Sequence, residues 1–282
     1  MREHMVPFLG PHGFNKVACF DWGDPASEKV VLCVHGLTRR GRDFDLLAQA
    51  LADRYRVICP DMPGRGRSDW LEDKNDYDYV TYMSACAAVI AWSGATQVDW
   101  VGTSMGGLIG MLLAAQPNTP IRRLAINDVG PFLPKAALER IGSYVGSDPR
   151  YVTFEDLEAD LRKNSAPFGP LTDVQWRFLA EHYAKRLSDG AWTSHYDPGI
   201  AVNIRKVQPP QDIDLWPVWN KIECPVLVLR GAQSDLLTKE TAAKMQQRPQ
   251  STELVEIAGV GHAPALLDAA QIAIVRDWLF KP

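Results

Sequence analysis

Residues 101–107 read Val101-Gly102-Thr103-Ser104-Met105-Gly106-Gly107. An apolar run (Val98, Trp100, Val101) leads in, and a helical one (Leu108, Ile109, Met111, Leu112, Leu113) leads out. Gly-x-Ser-x-Gly between a strand and a helix is the pattern of a nucleophile elbow, a sharp turn that holds a serine hydroxyl clear of both flanks. A Cβ two residues to either side would collide where strand and helix pass, which accounts for Gly102 and Gly106. The helix N-terminus behind Ser104 offers unpaired N–H groups and a positive dipole end, both favourable to negative charge.

Outward from this turn, strand-like and helical runs alternate. Strands are expected at 29–34, 56–59, 98–102, 123–127, 226–230 and 252–257, with 13–21 pairing at an antiparallel edge. Continuous apolar runs such as Val-Val-Leu-Cys-Val at 30–34 suit strands buried on both faces. Helices are expected at 43–53, 79–92, 105–116, 239–246 and 265–280. The fold class is therefore α/β, a mostly parallel sheet with helices on both faces. Residues 132–220 break the rhythm with short helices (134–144, 154–163, 173–188) and no convincing parallel strand. They form an insertion into a core made of 1–131 and 221–282. Almost half of the aromatic residues fall inside it, Trp176 and Trp192 among them. Those rings could build a small core of their own, or wall an apolar pocket over the sheet edge and touch substrate there.

A serine hydroxyl needs a base within hydrogen-bond reach. Of six histidines, His262 in Gly259-Val260-Gly261-His262 follows the last strand, on the C-terminal edge where Ser104 sits and ligand sites gather. The base needs a carboxylate to hold its tautomer. Asp235, just beyond the strand at 226–230, gives the chain order serine, acid, histidine. Asp128, at the end of the preceding strand, is the rival; its bland role is to tie down the segment entering the insertion. Two backbone N–H groups fit an oxyanion hole: Met105, after the nucleophile, and Leu37 in His35-Gly36-Leu37-Thr38, after the first buried strand. His35 reads as a brace for that loop, and Asp61-Met-Pro-Gly-Arg-Gly-Arg-Ser68 as a structural turn. Arg39, Arg40 and Arg42 cluster beside the oxyanion loop; they are a solvated basic loop, or Arg39 and Arg40 anchor a substrate carboxylate through paired hydrogen bonds.

Bulk properties exclude other classes. The chain has 282 residues, a net charge of −4, 46% hydrophobic and 23% charged residues. That leaves no basic footprint for nucleic acid and no stretch of eighteen apolar residues for a membrane span. Five scattered cysteines are no disulfide framework and no metal-ligand spacing, and a reduced, cytoplasmic setting is expected.

Together, His35-Gly36-Leu37-Thr38, the turn 61–68, the elbow 102–106, Asp235 and Gly261-His262 resemble the α/β-hydrolase superfamily, in its order and over nearly the whole chain. The resemblance implies an eight-stranded, mostly parallel sheet, a helical lid after the sixth strand, and a two-step acyl-enzyme mechanism without a cofactor. Ser104 stands where haloalkane dehalogenases and epoxide hydrolases carry aspartate, and Leu37-Thr-Arg-Arg where carbon–carbon hydrolases carry Gly-Pro-Gly-Ala. The chain looks most similar to bacterial carboxylesterases acting on a small-molecule ester. Carbon–carbon bond cleavage, thioester or perhydrolase chemistry, hydrolysis of short hydroxyacid oligomers and a non-catalytic receptor on the same fold stay open at this point.

Overall fold

The structure is a computed structural model and describes residues 1–206, 211–247 and 251–282. Its elements run in chain order: β1 (Arg2–Gly10), β2 (Gly13–Trp22), β3 (Val30–Val34), α1 (Asp45–Leu51), β4 (Arg56–Pro60), α2 (Tyr79–Ser93), β5 (Val98–Thr103), α3 (Met105–Ala114) and β6 (Ile121–Asn127). The insertion follows: β7 (Phe132–Leu133), α4 (Lys135–Tyr144), α5 (Phe154–Asn164), α6 (Asp173–Tyr183), β8 (Ala184–Arg186), β9 (Trp192–Ser194), α7 (Val202–Lys206), β10 (Ile213–Asp214) and α8 (Trp216–Trp219). The chain closes with β11 (Val226–Gly231), α9 (Lys239–Gln246), β12 (Thr252–Ile257) and α10 (Ala269–Leu279).

Eight strands form one sheet in the order β1-β2-β4-β3-β5-β6-β11-β12. β1 and β2 are antiparallel, β2 meets β4 antiparallel, and the other neighbours are parallel. β3, β4 and β11 are buried at every position, as strands covered on both faces must be. One core cluster packs the sheet against α2 and α3 through Trp100, Ile109, Met111 and Val89. The other packs it against α1 and α10 through Leu47, Leu51, Val275 and Trp278. The chain order reverses at β3, which has β4 on one side and β5 on the other. Loops leaving β3 and β5 therefore diverge from a common crevice, the usual ligand position in such sheets.

β1 is an addition to the sequence reading. Pro7 lies within it, and a proline is tolerated there because β1 is the sheet's outermost strand. The third insertion helix is shorter than expected: it stops at Tyr183, and residues 184–194 fold back as a β8–β9 hairpin around Asp189-Gly190, with Gly190 at φ +89°. Strand pairs inside the insertion are all antiparallel and short. No helix among the described residues is long and apolar enough to cross a membrane.

Candidate active site

The chain enters the elbow from the buried strand β5 and leaves it as α3. Ser104 stands between them at φ 52°, ψ −115°, a conformation L-residues rarely adopt. A side chain at Gly102 would run into the Gly106 carbonyl oxygen, and one at Gly106 into that of Val34. The two glycines thus let α3 cross directly over β5 and β3, which fixes where the serine points. The Ser104 amide donates to the Asn127 carbonyl (2.9 Å), so the end of β6 holds the turn from the other side.

His262 reaches the serine from the loop after β12. Its Nε2 lies 2.9 Å from Ser104 Oγ. Its Nδ1 lies 2.8 Å from Asp128 Oδ2. A carboxylate accepts the proton on Nδ1, which leaves Nε2 as the acceptor for the serine hydroxyl. Asp128 is the first residue after β6, fully buried, at φ 58°. Its Oδ1 accepts from the Gly231 amide (2.7 Å) and its Oδ2 also from Ser234 Oγ (2.6 Å). A buried carboxylate is costly unless its lone pairs are filled, and here three donors, two from the end of β11 and the loop after it and one from the loop after β12, fill them.

This corrects the expectation for Asp235. Its carboxylate accepts from Arg140 Nε (2.5 Å) and Nη2 (2.8 Å) of α4 and does not hold the imidazole. Burial works to raise its pKa, but the hydrogen bonds and charge of Arg140 outweigh it and hold the carboxyl below the usual range. The reason is distance along the chain. Asp128 leaves its strand immediately and stays at the sheet edge. Asp235 comes four residues after Gly231, and the loop has by then carried it outward to the insertion.

The loop after β3, where an oxyanion donor was expected at Leu37, is built from the core. Gly36 sits close enough that a Cβ there would lie 3.6 Å from Ser104 Cβ. Met105 opens α3, so its N–H has no partner within the helix. His35 braces this loop: its Nε2 accepts from the Met62 amide (2.9 Å) and its Nδ1 faces the Gly36 carbonyl (2.7 Å). Burial pushes its pKa down to about 3, so it is neutral near pH 7. Arg65, from the turn at 61–68 that was read as purely structural, contacts this loop. It is fully buried, and its Nε donates to the Leu37 carbonyl (2.8 Å). Nη1 donates to the Pro63 carbonyl (2.6 Å) and Tyr82 Oη (2.8 Å), and Nη2 lies 3.5 Å from Met105 Sδ. One guanidinium therefore touches both Leu37 and Met105. Asn127 was missed as well: its Nδ2 donates to Thr103 Oγ1 (3.0 Å) and the Pro264 carbonyl (2.8 Å), joining the loops of Ser104 and His262.

A cavity of about 1040 Å³ opens over the serine, lined by core residues including Leu37, Ser104, Leu108 and His262, and by Leu138, Ile141, Leu161 and Leu179 of the insertion. Three of the residues expected to touch substrate do not line it. Trp176 and Trp192 pack with Leu157, Leu179 and Leu267 in a cluster that seats the insertion on the core. Arg40 is buried beneath the loop, donating to the His182 carbonyl (3.0 Å), beside Asp61 (3.6 Å). Arg39 does line the cavity, but its Nε and Nη2 are taken by Asp43 at 2.6 and 2.8 Å. Both arginines lie at a core–insertion junction, where guanidinium groups need partners and find them.

Residues 31–275 match the alpha/beta hydrolase family. The chain belongs to that family. It is 50% identical to a 3-hydroxybutyrate-oligomer hydrolase of Cupriavidus necator, over 98% of this chain and 97% of that one. It is 27% identical to a bifunctional esterase/perhydrolase of Acinetobacter calcoaceticus, over 89% and 91% of the two chains. Among solved structures, a hydrolase of Rickettsia typhi described as putative superposes with a TM-score of 0.92 at 32% identity over 99% of both chains. This family member is an enzyme, a hydrolase of the esterase type.

Proposed function

We propose that the protein hydrolyses carboxylic esters of short 3-hydroxyacid oligomers through an acyl-enzyme on Ser104. The observation that carries this reading is His262 hydrogen-bonded at once to Ser104 Oγ and to the buried carboxylate of Asp128. The hydroxyl attacks the ester carbonyl carbon while His262 Nε2 takes its proton. The oxyanion forms against the amides of Leu37 and Met105. Asp128 steadies the imidazolium, which then gives its proton to the departing alcohol. Water, deprotonated by the same imidazole, attacks the acyl-serine and frees the acid. No step calls for a cofactor. The substrate class comes from the relative at 50% identity, whose name specifies 3-hydroxybutyrate oligomers. The largely apolar cavity suits a chain of methyl and methylene groups. Residues 132–220 act in this reading as a cap over the core formed by 1–131 and 221–282. Cys19, Cys33, Cys59 and Cys86 are buried thiols, in keeping with a cytoplasmic setting.

The test is release of 3-hydroxybutyrate from its dimer and trimer by wild type and Ser104→Ala. Wild type is expected to cleave both. The variant should fold normally and lose about 10⁴-fold or more in kcat. Turnover unchanged in the variant would overturn the mechanism. Cleavage of p-nitrophenyl esters without cleavage of oligomers would overturn the substrate alone.

A further inference from the structure

We propose that Arg205 anchors the carboxylate that a substrate carries on the alcohol half of its ester, so that the cavity selects hydroxyacid esters with a free acid end. The inference rests on the ester-hydrolase reading above. Three arginines among the described residues face the cavity: Arg39, Arg140 and Arg205. Arg39 is neutralised by Asp43 and Arg140 by Asp235, each through two hydrogen bonds. Arg205 differs. Among the described residues its guanidinium meets no carboxylate, and Nη2 donates to the Val145 carbonyl at 3.1 Å.

That contact is a seat. The chain turns at Gly146 with φ +79°, and a side chain there would come within 3.0 Å of the same Nη2. One edge of the fork is thus fixed while other N–H groups remain to donate. The helix beneath is held to the core as well: Asn203, two residues earlier, donates to the Asn75 and Tyr77 carbonyls at 2.8 and 3.1 Å. Arg205 is exposed as well as part of the cavity lining, so a carboxylate gains there chiefly by matching the guanidinium through two parallel hydrogen bonds.

The chemistry of the substrate decides which half carries that group. In a linear hydroxyacid oligomer the free carboxylate lies on the alcohol side of every ester bond. The departing hydroxyacid would therefore be the half held by Arg205. One of the carboxylates in the cavity lining fits the opposite end. Asp160 of α5 faces the cavity, and its Oδ2 accepts from Tyr151 Oη (2.6 Å) and Asn164 Nδ2 (2.8 Å). No cation lies in ion-pair range of it among the described residues. A carboxylate is repelled there, whereas a terminal hydroxyl can donate to it.

The experiment compares 3-butyryloxybutanoate with its methyl ester, which lacks the charge and carries a methyl group in its place, and follows butyrate release so that only cleavage of the shared ester bond is read. The quantity read is the ratio of kcat/KM for acid over methyl ester. In Arg205→Gln this ratio should fall about tenfold, carried by KM for the acid. Arg205→Lys should restore part of it, and Arg205→Glu should lower it further. A purely structural role would slow both probes alike and leave the ratio unchanged, which overturns the proposal. If the glutamine variant is inactive on both, wild type decides. Its ratio should fall as salt is raised if a charge is being read, and a salt-independent ratio overturns the anchor. Failure of wild type to cleave either probe would instead count against the ester reading itself.

Discussion

β6 and β11 lie side by side in the sheet, and each is followed by a loop that carries an aspartate. The two loops part within four residues. Asp128 turns straight back into the crevice, is fully buried, and has its oxygens filled by Gly231, Ser234 and His262. Asp235 is carried outward, has a side chain 49% exposed, and is shared with Arg140 of the insertion. Both positions could serve a histidine at this edge. What separates them is enclosure. A carboxylate that can be buried and fully hydrogen-bonded beside the imidazole has one geometry, whereas an exposed one has many and is screened by water. Asp128 is sealed within the core edge against His262, whereas Asp235 is tied to the insertion through Arg140.

Exchanging the two aspartates for asparagine tests that contrast most severely. Asp128→Asn keeps the shape but removes the charge and permits the wrong imidazole tautomer. Its kcat should fall by about 10³–10⁴-fold, with KM for a small ester little altered. Asp235→Asn breaks only a half-exposed ion pair, a class of interaction whose loss costs less than about tenfold. Steady-state kinetics on one p-nitrophenyl ester would compare them, and the reverse ranking would return the role to Asp235.

Arg65 sharpens the contrast from the sealed side. Arg65→Met keeps much of the buried bulk without donors, leaving the Leu37 carbonyl without this partner and its loop free to shift. Loss of an oxyanion donor outright costs about 10²–10³-fold in kcat, and a misplaced one costs less. A drop in kcat of about 10–100-fold is expected, with KM nearly constant and partial recovery in Arg65→Lys. An unchanged kcat in a folded Arg65→Met protein would reduce this residue to scaffold.

How far these features were legible in the sequence follows the same division. The elbow, the strands and His262 are encoded locally: glycine spacing, continuous apolar runs and position at strand ends carry the information along a few residues. The fold class follows from the same signals, whereas the eighth strand, β1, was not among the strands read from the residues, and the count of eight came only from the family resemblance. The choice between Asp128 and Asp235 is not local. It depends on Ser234 and Gly231 reaching across to a neighbouring strand end, which no spacing rule contains. The one usable signal was proximity, since Asp128 follows its strand immediately and Asp235 does not. The aromatic content of the insertion was plain, but which rings face the cavity depends on how short helices pack. Trp176 and Trp192 turn inward to their own cluster, and tyrosines such as Tyr144 and Tyr196 face the cavity. Arg39 and Arg40 read as exposed because charge patterns cannot show that the insertion closes over them.

His35 offers the mildest test, one of stability rather than rate. In the unfolded chain its imidazole takes up a proton near its ordinary value of 6.5, and in the folded protein not until about 3, because burial opposes the charge and Nε2 is already accepting from Met62. Between those values the unfolded chain binds the extra proton, so stability falls as pH falls, with a slope approaching about 1.4 kcal/mol per pH unit for this one group. Burial lowers the pKa of His195, to about 4, and that of His182, so both add slopes of the same sign. The wild-type curve alone therefore cannot isolate His35. Its difference from His35→Asn can. Urea midpoints measured at pH 7, 6, 5 and 4 should show the variant less stable at pH 7 and the two curves converging as the solution is acidified. Parallel curves would mean that residue 35 does not stay neutral through folding, and the brace under the oxyanion loop would then need a different proton arrangement.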